Sequence, residues 1–335
     1  MNPSAGESAG PDLPCTDLPS LLAGAAARLG QAGVPTPAHD ARVLLARACG
    51  CDLHDLDKAL LMGWGVADLV GPAPGILPGR SAGDGRAGGR AGRALVRFER
   101  SVDRRSLREP LQYIVGQAPF RLMDLAVGPG VFIPRPETES VVQAGLDWLA
   151  GRGVRNPLVV DLCAGSGAVG LSVAFEYPGA RVTAVEKSPQ AASWARFNAL
   201  RQEEAIASSG SSYRLVEADA LDPLNLADLD GRVDLIISNP PYVPEDQVPE
   251  QPEVRDWDPD QALYGGSADG CAIPGLVIRR AATLLRPGGF LVMEHDASQG
   301  EATRREAGLA GLVQVRTGSD LAGRPRFLTA AKPGG

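Results

Sequence analysis

Aromatic residues, histidine and cysteine are all scarce in this chain of 335 residues. Phe, Trp and Tyr make up 5% of it, and there are three histidines and five cysteines. These residues are His39, His54, His295, Cys15, Cys49, Cys51, Cys163 and Cys271. The cysteines are odd in number, scattered and without a CxxC pair, so we predict reduced thiols rather than a disulfide framework. Because the histidines are equally dispersed, no metal site is expected.

The sequence also has no long apolar run. A transmembrane helix needs about 18 apolar residues in succession, and no such stretch occurs. The first 15 residues, MNPSAGESAGPDLPC, lack the basic-then-apolar order of a signal peptide. The formal net charge of -7 argues against a broad surface that grips the nucleic-acid backbone. We therefore expect a cytoplasmic protein without a membrane partner.

Length and composition predict two domains and two disordered segments. A chain of 335 residues with 44% hydrophobic residues is long enough for two domains. Residues 1–16 are rich in Pro, Gly and Ser, so a disordered tail is expected there. Apolar residues such as Leu18, Leu21 and Leu22 then recur at helical spacing, which predicts a small helical domain. Residues 71–93 are dominated by Gly, Ala, Pro and Arg and predict a disordered, solvated insertion rather than an RNA-binding segment.

From Leu158 onward, short apolar runs of β type alternate with helical stretches. The runs are LVVDLC, RVTAVE, YRLVEA, VDLIIS, GFLVME, LVQVRT and RFLTAA. This alternation predicts a mostly parallel sheet covered by helices on both faces. The last two runs, after Gly311, predict a closing hairpin and an antiparallel final strand. A ligand is then expected at the carboxyl ends of the strands.

The first run leads into a glycine turn and then a helix, an arrangement that offers free backbone N–H groups to a ligand. Gly165 and Gly167 allow the backbone to approach a ligand closely. Gly170 completes a G-x-G-x-x-G spacing, so a dinucleotide is a rival ligand, and a plain tight turn would also need a glycine. Asp161 would repel a pyrophosphate but can receive the cationic amine of a methionine, which favours S-adenosylmethionine. The predicted cofactor contacts in this loop are Asp161, Cys163, Ala164, Gly165, Ser166 and Gly167.

Acidic residues at the ends of the next two runs extend the predicted cofactor site. Glu186 ends the second run, where a carboxylate can accept hydrogen bonds from both hydroxyls of a ribose. Asp219, followed by Ala220, comes after the third run, where it can bind an adenine amine or merely cap a turn. Glu186, Asp219 and Ala220 are therefore candidates for cofactor binding.

The most specific short segment is Asn239-Pro240-Pro241-Tyr242, directly after the fourth run. Two prolines after an asparagine fix a rigid, extended turn. An amide or aromatic amine nitrogen is a poor nucleophile because its lone pair is delocalised, so catalysis must orient it. The Asn239 side-chain carbonyl and the Pro240 backbone carbonyl can accept its two N–H protons, while Tyr242 packs over the planar group. We predict catalysis by Asn239, Pro240 and Tyr242, substrate binding by these residues and Pro241, and cofactor contact by Asn239.

With these motifs the chain resembles the release factor glutamine methyltransferases, the HemK/PrmC family. Two further segments carry the likeness. Residues 108–116 (REPLQYIVG) are similar to the family's linker between domains. Residues 132–139 (FIPRPETE) are similar to the start of its methyltransferase domain. The resemblance extends over nearly the whole chain apart from the tail and the insertion.

The resemblance implies a fold and an activity. The fold is α/β, with a Rossmann-like, seven-stranded S-adenosylmethionine-dependent methyltransferase domain over residues 131–335. A helical substrate-recognition domain over residues 17–107 and an inter-domain linker over residues 108–130 precede it. The implied activity is methylation of the side-chain amide nitrogen of the glutamine in the Gly-Gly-Gln motif of peptide chain release factors, giving N5-methylglutamine. A monomer is expected.

The family also implies that the loop before the first helix of that domain contacts the methionine end of the cofactor, here through Thr138. The same residues, Arg135-Pro136-Glu137-Thr138, are also typical of a helix start. Residues 262–270 resemble the family's AL-x-GG-x-DG pattern with one extra residue. The family's Glu-x-Gly after the fifth run is Glu294-His295-Asp296 here, which removes a glycine near the acceptor side. His295 is not placed in the catalytic set, because a methylated amide nitrogen loses its proton without a base.

Two other functions are left open by the motifs. NPPY segments also serve methyltransferases that act on the exocyclic amine of a base in DNA or RNA, although the acidic net charge disfavours a nucleic-acid substrate. The second is a non-catalytic module that only binds S-adenosylmethionine, which the intact Asp161, Gly165, Glu186 and Asn239 disfavour. A release factor is therefore the expected partner.

Overall fold

The computed structural model describes residues 17–70 and 85–334, with only the backbone given for residues 85–88. The predicted tail, residues 1–16, lies outside the described residues. The chain divides into two compact units between Val115 and Gly116. In the described parts of the chain, every helix is too short or too polar to cross a membrane.

The N-terminal unit is helical, as predicted. Its helices are α1 (Leu18–Gln31), α2 (Pro37–Cys49), α3 (Leu53–Met62), α4 (Val66–Leu69), α5 (Gly85–Ser106) and α6 (Leu111–Val115). They enclose one apolar core that includes the buried side chains of Leu18, Leu44 and Phe98. A buried ion pair between Arg105 and Asp40, 2.7 Å long, joins α5 to α2. The unit therefore has its own core, the property that defines a domain.

The prediction of a disordered insertion is wrong over residues 85–93, which form the first turns of α5. The remainder of that segment, residues 71–84, lies outside the described residues. Alanine and arginine favour helix, and each glycine disfavours it by only about 1 kcal/mol. Further along α5, Ala94 and Phe98 are fully buried four residues apart, so tertiary packing holds the helix. The prediction failed because the first turns of α5 are rich in glycine, whereas the buried apolar residues that stabilise the helix lie further along the chain.

The C-terminal unit combines a small hairpin with a large sheet. The hairpin strands are β1 (Gln117–Phe120) and β2 (Met123–Ala126). The sheet strands are β3 (Leu158–Leu162), β4 (Arg181–Glu186), β5 (Ser212–Glu217), β6 (Val233–Ser238), β7 (Leu285–Glu294), β8 (Val313–Ser319) and β9 (Pro325–Ala331). The helices are α7 (Thr138–Arg152), α8 (Ala168–Glu176), α9 (Pro189–Ser208), α10 (Pro252–Arg255), α11 (Asp260–Leu263), α12 (Ala272–Leu284) and α13 (Gly300–Leu309). Every predicted apolar run therefore became a strand.

The strand order in the sheet is β5-β4-β3-β6-β7-β9-β8. Neighbouring strands from β5 to β7 are parallel, whereas β9 runs antiparallel to both β7 and β8. This confirms the predicted seven-stranded sheet with an antiparallel final strand. The order reverses at β3, between β4 and β6, and ligands bind at the carboxyl ends of strands beside such a switch point.

Two consecutive residues of β3 show that helices cover both faces of the sheet. Val159 packs in one apolar cluster together with residues of α7 and α8. Val160 packs in a second cluster together with residues of α12 and α13. Because successive side chains of a strand point to opposite faces, the sheet is buried on both sides. This confirms the predicted arrangement of layers.

The segment predicted as a linker, residues 108–130, is not a simple connector. It contains α6, the division between the two units and the hairpin β1–β2. Phe120 and Leu125 of the hairpin are buried in a core cluster of the C-terminal unit. Strands of four residues leave only a weak sequence pattern, so the resemblance alone could not assign this hairpin to a core.

Candidate active site

A cavity of about 310 Å³ lies at the carboxyl ends of the strands in the C-terminal unit. Its wall includes residues that follow β3, β4, β5 and β6, together with the start of α7. The predicted site residues on this wall are Thr138, Cys163, Ala164, Gly165, Ser166, Glu186, Asp219, Ala220, Asn239, Pro241 and Tyr242. Asp161, Gly167 and Pro240 are not part of the wall. The parallel sheet thus brings most of the predicted residues together around one cavity.

Gly165 and Gly167, in the turn between β3 and α8, are required for different structural reasons. Gly165 has a φ of 56°, and a Cβ added to it would meet no atom within 4 Å. Gly167 has a φ of 83°, and a Cβ there would lie 3.0 Å from both Leu171 and the Tyr213 hydroxyl. Both backbone conformations favour glycine. Gly165 therefore leaves space at the cavity, whereas Gly167 allows the start of α8 to pack closely.

Asp161 supports this turn from inside the protein. It is fully buried within β3, and its Oδ2 accepts a hydrogen bond of 2.8 Å from the amide of Gly170. Oδ1 has no hydrogen-bond partner among the described residues. Burial raises the pKa of Asp161 to about 8. Asp161 is not part of the cavity wall, whose first residue after β3 is Cys163, and direct contact with a cofactor amine stays a prediction.

Glu186 is held in place by two backbone amides. Its Oε2 accepts a hydrogen bond from Gly165 and its Oε1 accepts one from Ser188, each 2.7 Å long. Burial raises the pKa of Glu186, and the amides of Ser188 and Gly165 oppose this rise by stabilising the charged form. Each carboxylate oxygen has a second lone pair, so both oxygens can still accept a hydrogen bond from a hydroxyl group. The side chain is therefore oriented and remains an acceptor on the cavity wall.

Asp219 has two partners at the end of β5. Its Oδ1 accepts a hydrogen bond of 2.9 Å from the amide of Leu221, which confirms that it caps a turn. Its Oδ2 lies 2.8 Å from the ammonium nitrogen of Lys187, and this hydrogen bond holds the pKa of Asp219 below its ordinary value. Ala220, the next residue, is buried on the wall. Contact with an adenine amine stays a prediction.

Asn239 follows β6 and directs its amide nitrogen toward the start of α7. Nδ2 donates a hydrogen bond of 3.3 Å to Oγ1 of Thr138, and both residues line the cavity. Since Nδ2 has this partner, the carbonyl oxygen Oδ1 is the group that Asn239 can offer as an acceptor. Pro240 is buried away from the wall, so the predicted role of its carbonyl stays a prediction.

Tyr242 is held at three points. Its hydroxyl donates a hydrogen bond of 3.0 Å to Oε1 of Glu294, at the end of β7. Its amide donates to the carbonyl of Leu263 at 3.0 Å, and its carbonyl accepts from Nε2 of Gln299 at 2.7 Å. Burial raises the pKa of Tyr242, so its hydroxyl keeps its proton. The aromatic ring therefore has a fixed position on the wall.

The segment that resembles AL-x-GG-x-DG packs directly against the Asn239–Tyr242 turn. Val243 and Tyr264 form a parallel bridge. A Cβ on Gly265 would lie 2.0 Å from the carbonyl oxygen of Gly270, and a Cβ on Gly270 would lie 2.1 Å from that of Tyr242. These distances leave no space for a side chain, which explains both glycines. The extra residue is absorbed in a closed turn, where Gly270 N–H donates to the carbonyl of Ser267 at 3.0 Å.

Both interpretations of the loop before α7 are compatible with the structure. The helix begins at Thr138, and Thr138 also lines the cavity. Arg135 lies over the ring of Phe132 at 5.0 Å and donates to Oδ2 of Asp258 at 2.6 Å. The side chain of Asp258 is fully buried, so this ion pair fixes the loop.

Sequence reasoning missed two residues that organise the site, Glu294 and Gln299. Glu294 is 1% exposed and Gln299 is 3% exposed, and both bind Tyr242. The available signal for Glu294 was its match to the glutamate of the family's Glu-x-Gly pattern, which gave the residue a position but no role. His295 is fully buried and is not on the wall, and burial lowers its pKa. Its position agrees with leaving it out of the catalytic set.

Comparison with known proteins gives matches along most of the chain. A family model described as the PrmC N-terminal domain matches residues 20–57, and one described as conserved hypothetical protein 95 matches residues 112–255. A release factor glutamine methyltransferase from Bifidobacterium longum is 52% identical over 93% of this chain and 99% of that protein. The protein of the same name from Mycolicibacterium smegmatis is 41% identical over 95% of this chain and 98% of that protein. The similarity therefore includes both units.

A relative with a different named substrate is also similar. The 4-amino-L-phenylalanine/4-methylamino-L-phenylalanine methyltransferase from Streptomyces pristinaespiralis is 37% identical over 84% of this chain and 84% of that protein. Its name describes an aromatic amine as the methyl acceptor. An assay of acceptor specificity should therefore include this class of amine.

Proposed function

The chain belongs to the release factor glutamine methyltransferases, and from this membership we propose that it methylates the side-chain amide nitrogen of a glutamine in a peptide chain release factor. The methyl donor is S-adenosylmethionine, the glutamine is that of the Gly-Gly-Gln motif, and the product is N5-methylglutamine. One observation carries the proposal: a single cavity wall joins Asn239 and Tyr242 to Glu186 and Gly165. Because release factors work in the cytoplasm, we propose the same compartment for this protein.

The residues at the glycine-turn end of the cavity fit S-adenosylmethionine. Glu186 presents acceptor oxygens to the two ribose hydroxyls, and Gly165 leaves open space beside it. Asp161 lies behind this wall and supports the turn, because its Oδ2 accepts a hydrogen bond from the amide of Gly170. When bound, S-adenosylmethionine supplies a methyl group on a positively charged sulfur, and its transfer to nitrogen releases a neutral thioether and one proton.

The residues at the other end orient the acceptor. Oδ1 of Asn239 accepts one N–H of the glutamine amide, and the carbonyl of Pro240 accepts the second. The amide nitrogen is thereby held with its lone pair directed toward the methyl group, and orientation of this kind is the main catalytic contribution available for a weak nucleophile. Tyr242 packs against the planar amide, and its hydrogen bond to Glu294 keeps the ring still.

Incubation with labelled S-adenosylmethionine should label a purified release factor at one glutamine. The acceptors to compare are the wild-type release factor, the same factor with that glutamine replaced, an adenine-containing oligonucleotide and free 4-amino-L-phenylalanine. We expect label only in the wild-type factor, because a primary amide matches the paired acceptors. Mass mapping of the modified peptide identifies the residue that carries the methyl group.

Three outcomes would contradict the proposal. Labelling of the oligonucleotide without the release factor would favour the nucleic-acid alternative, and labelling of 4-amino-L-phenylalanine alone would favour an aromatic amine. The first alternative is not favoured by the relatives, whose names specify release factors. If the protein binds S-adenosylmethionine but labels none of the acceptors, the result would favour a non-catalytic module that only binds the cofactor.

Replacing Glu186 with alanine should weaken cofactor binding roughly tenfold to a hundredfold. The change removes acceptors for the ribose hydroxyls, and a hydrogen bond to a charged acceptor contributes about 1.5–3 kcal/mol. Loss of the bonds to Gly165 and Ser188 adds to the effect by loosening the turn. Calorimetric titration with S-adenosylmethionine or S-adenosylhomocysteine measures the dissociation constant.

A matched control lies on the neighbouring strand. Glu217 pairs with Glu186 in the register of β4 and β5, but its side chain is 41% exposed, pairs with Arg196 and is not on the cavity wall. Glu217→Ala should leave the dissociation constant unchanged, since an exposed ion pair contributes little. Equal affinities for both variants would argue against the role of Glu186.

A further inference from the structure

Gln299 joins the Asn239–Tyr242 turn to the segment that resembles AL-x-GG-x-DG. Its Nε2 donates a hydrogen bond of 2.7 Å to the carbonyl of Tyr242 and one of 2.8 Å to the carbonyl of Asp269. Its Oε1 accepts a hydrogen bond of 3.0 Å from the amide of Asp296. The residue is 3% exposed, so these bonds are shielded from water. A single buried side chain therefore connects three segments of the backbone.

The partners leave one orientation for the Gln299 amide. Two carbonyl oxygens face Nε2, and one N–H group faces Oε1. A reversed amide would place its oxygen against both carbonyls and its NH₂ group against a donor. Among the described residues, no backbone N–H donates to the carbonyl of Tyr242, so Gln299 provides its hydrogen bond. Without Nε2, this carbonyl would lose its partner and the turn would lose a fixed point.

The turn before α13 holds Gln299 in place. The carboxylate of Asp296 accepts hydrogen bonds of 2.9 and 2.6 Å from the amide and the hydroxyl of Ser298. The amide of Gln299 donates to the carbonyl of Asp296 at 2.9 Å. Asp296 stands where the family's Glu-x-Gly pattern has its glycine. In this chain, the departure from that pattern therefore supplies a side chain that closes the turn carrying Gln299.

We propose that Gln299 is a positioning residue that fixes the Asn239–Tyr242 turn and thereby sets the rate of methyl transfer. This rests on the proposed function, in which Asn239, Pro240 and Tyr242 orient the acceptor amide. Gln299 is not part of the cavity wall, so it acts through Tyr242 rather than on the substrate. The two prolines make the turn stiff, so a shift at Tyr242 is transmitted to Asn239.

Gln299→Met keeps the length of the side chain but removes both donated hydrogen bonds. We expect kcat for the release factor to fall roughly tenfold, the rate equivalent of one hydrogen bond, because the turn is no longer held. The dissociation constant of S-adenosylmethionine should stay near the wild-type value, since Gln299 binds neither Glu186 nor the glycine turn. Steady-state kinetics at saturating cofactor and calorimetric titration measure the two quantities.

Two further variants test the route from Gln299 to the turn. Gln299→Asn keeps the amide but is one methylene shorter, so it cannot reach both carbonyls and should also lower kcat. In the Gly270→Ala background, Gln299→Met should have little further effect, because the added Cβ, 2.1 Å from the carbonyl of Tyr242, already displaces this group. Additive losses in the double variant would indicate separate routes and would overturn the proposal.

Asn198→Leu is the matched control, because it removes another buried amide of the same unit. Asn198 is 1% exposed and also makes three hydrogen bonds to the backbone, two with Ala126 and one with the carbonyl of Ser166. Since it binds the glycine turn and not the Asn239–Tyr242 turn, Asn198→Leu should lower thermal stability and cofactor affinity but keep kcat near wild type at saturating cofactor. An equal loss of kcat in both variants would mean general destabilisation and would overturn the positioning role.

The same assays separate this proposal from the proposed function. If wild-type protein methylates the release factor and Gln299→Met, shown by circular dichroism to be folded, matches its kcat, the positioning role is wrong while the proposed function stands. If wild-type protein does not methylate the release factor, the proposed function fails and the positioning role fails with it.

Discussion

Asn239→Ala is expected to lower turnover by about three orders of magnitude or more while leaving cofactor affinity near the wild-type value. Orientation of a reacting group is worth roughly 7–11 kcal/mol at its limit, and this substitution removes the acceptor that orients the glutamine nitrogen. An interaction that matters mainly in the transition state lowers kcat rather than raising KM. Steady-state kinetics with release factor, together with calorimetry for the cofactor, separate the two effects.

Asn239→Asp tests the geometry of the same residue. The carboxylate keeps an acceptor but cannot donate to Thr138, so the hydrogen bond of 3.3 Å between these side chains must rearrange. It also places a negative charge near a sulfonium whose charge disappears in the transition state, which stabilises the ground state more. We expect a slow enzyme with good cofactor binding. Wild-type turnover in either Asn239 variant would contradict the assigned role.

Gly270→Ala is expected to reduce kcat about a hundredfold through the backbone of the Asn239–Tyr242 turn. The added Cβ would lie 2.1 Å from the carbonyl oxygen of Tyr242 and 2.8 Å from Nε2 of Gln299, so the turn must move. A displacement of about 1 Å at an orienting group can cost a hundredfold in rate. Kinetics with release factor measure the loss, and circular dichroism verifies that the protein is folded.

Gly266→Ala is the matched control in the same segment. Gly266 also has a positive φ, 77° against 68° for Gly270, so both variants bear a similar backbone penalty of about 1–2 kcal/mol. Its added Cβ would have Ile273 as its nearest neighbour, at 3.4 Å, which is an ordinary van der Waals distance, so the turn does not have to move. We expect reduced thermal stability with nearly wild-type kcat. A similar loss of kcat in both variants would mean that strain, rather than contact with Tyr242, is responsible.

Local patterns were sufficient for the centre of the sheet because β3, β4 and β6 are almost entirely buried, and a strand that is buried on both faces appears as a nearly continuous apolar run. The predicted runs correspond to β3 through β9. Because the carboxyl ends of parallel strands lie at the same edge of a sheet, the residues that follow these strands could be placed together from the sequence. Asp161 marks the limit of this reasoning. Its position in the motif suggested contact with a ligand. In the structure its side chain is fully buried within β3 and is not part of the cavity wall.

The layered α/β architecture, the glycine turn, Glu186 and the Asn239–Tyr242 turn could be predicted from the sequence, because these features depend on residues close together in the chain. The groups that hold the Asn239–Tyr242 turn could not be predicted, because they come from distant parts of the chain. Thr138 and Asn239 are 101 positions apart, and Tyr242 and Glu294 are 52 positions apart. Contacts over such separations depend on how α7 and β7 pack around β6, and neither the apolar pattern nor a short motif contains that arrangement.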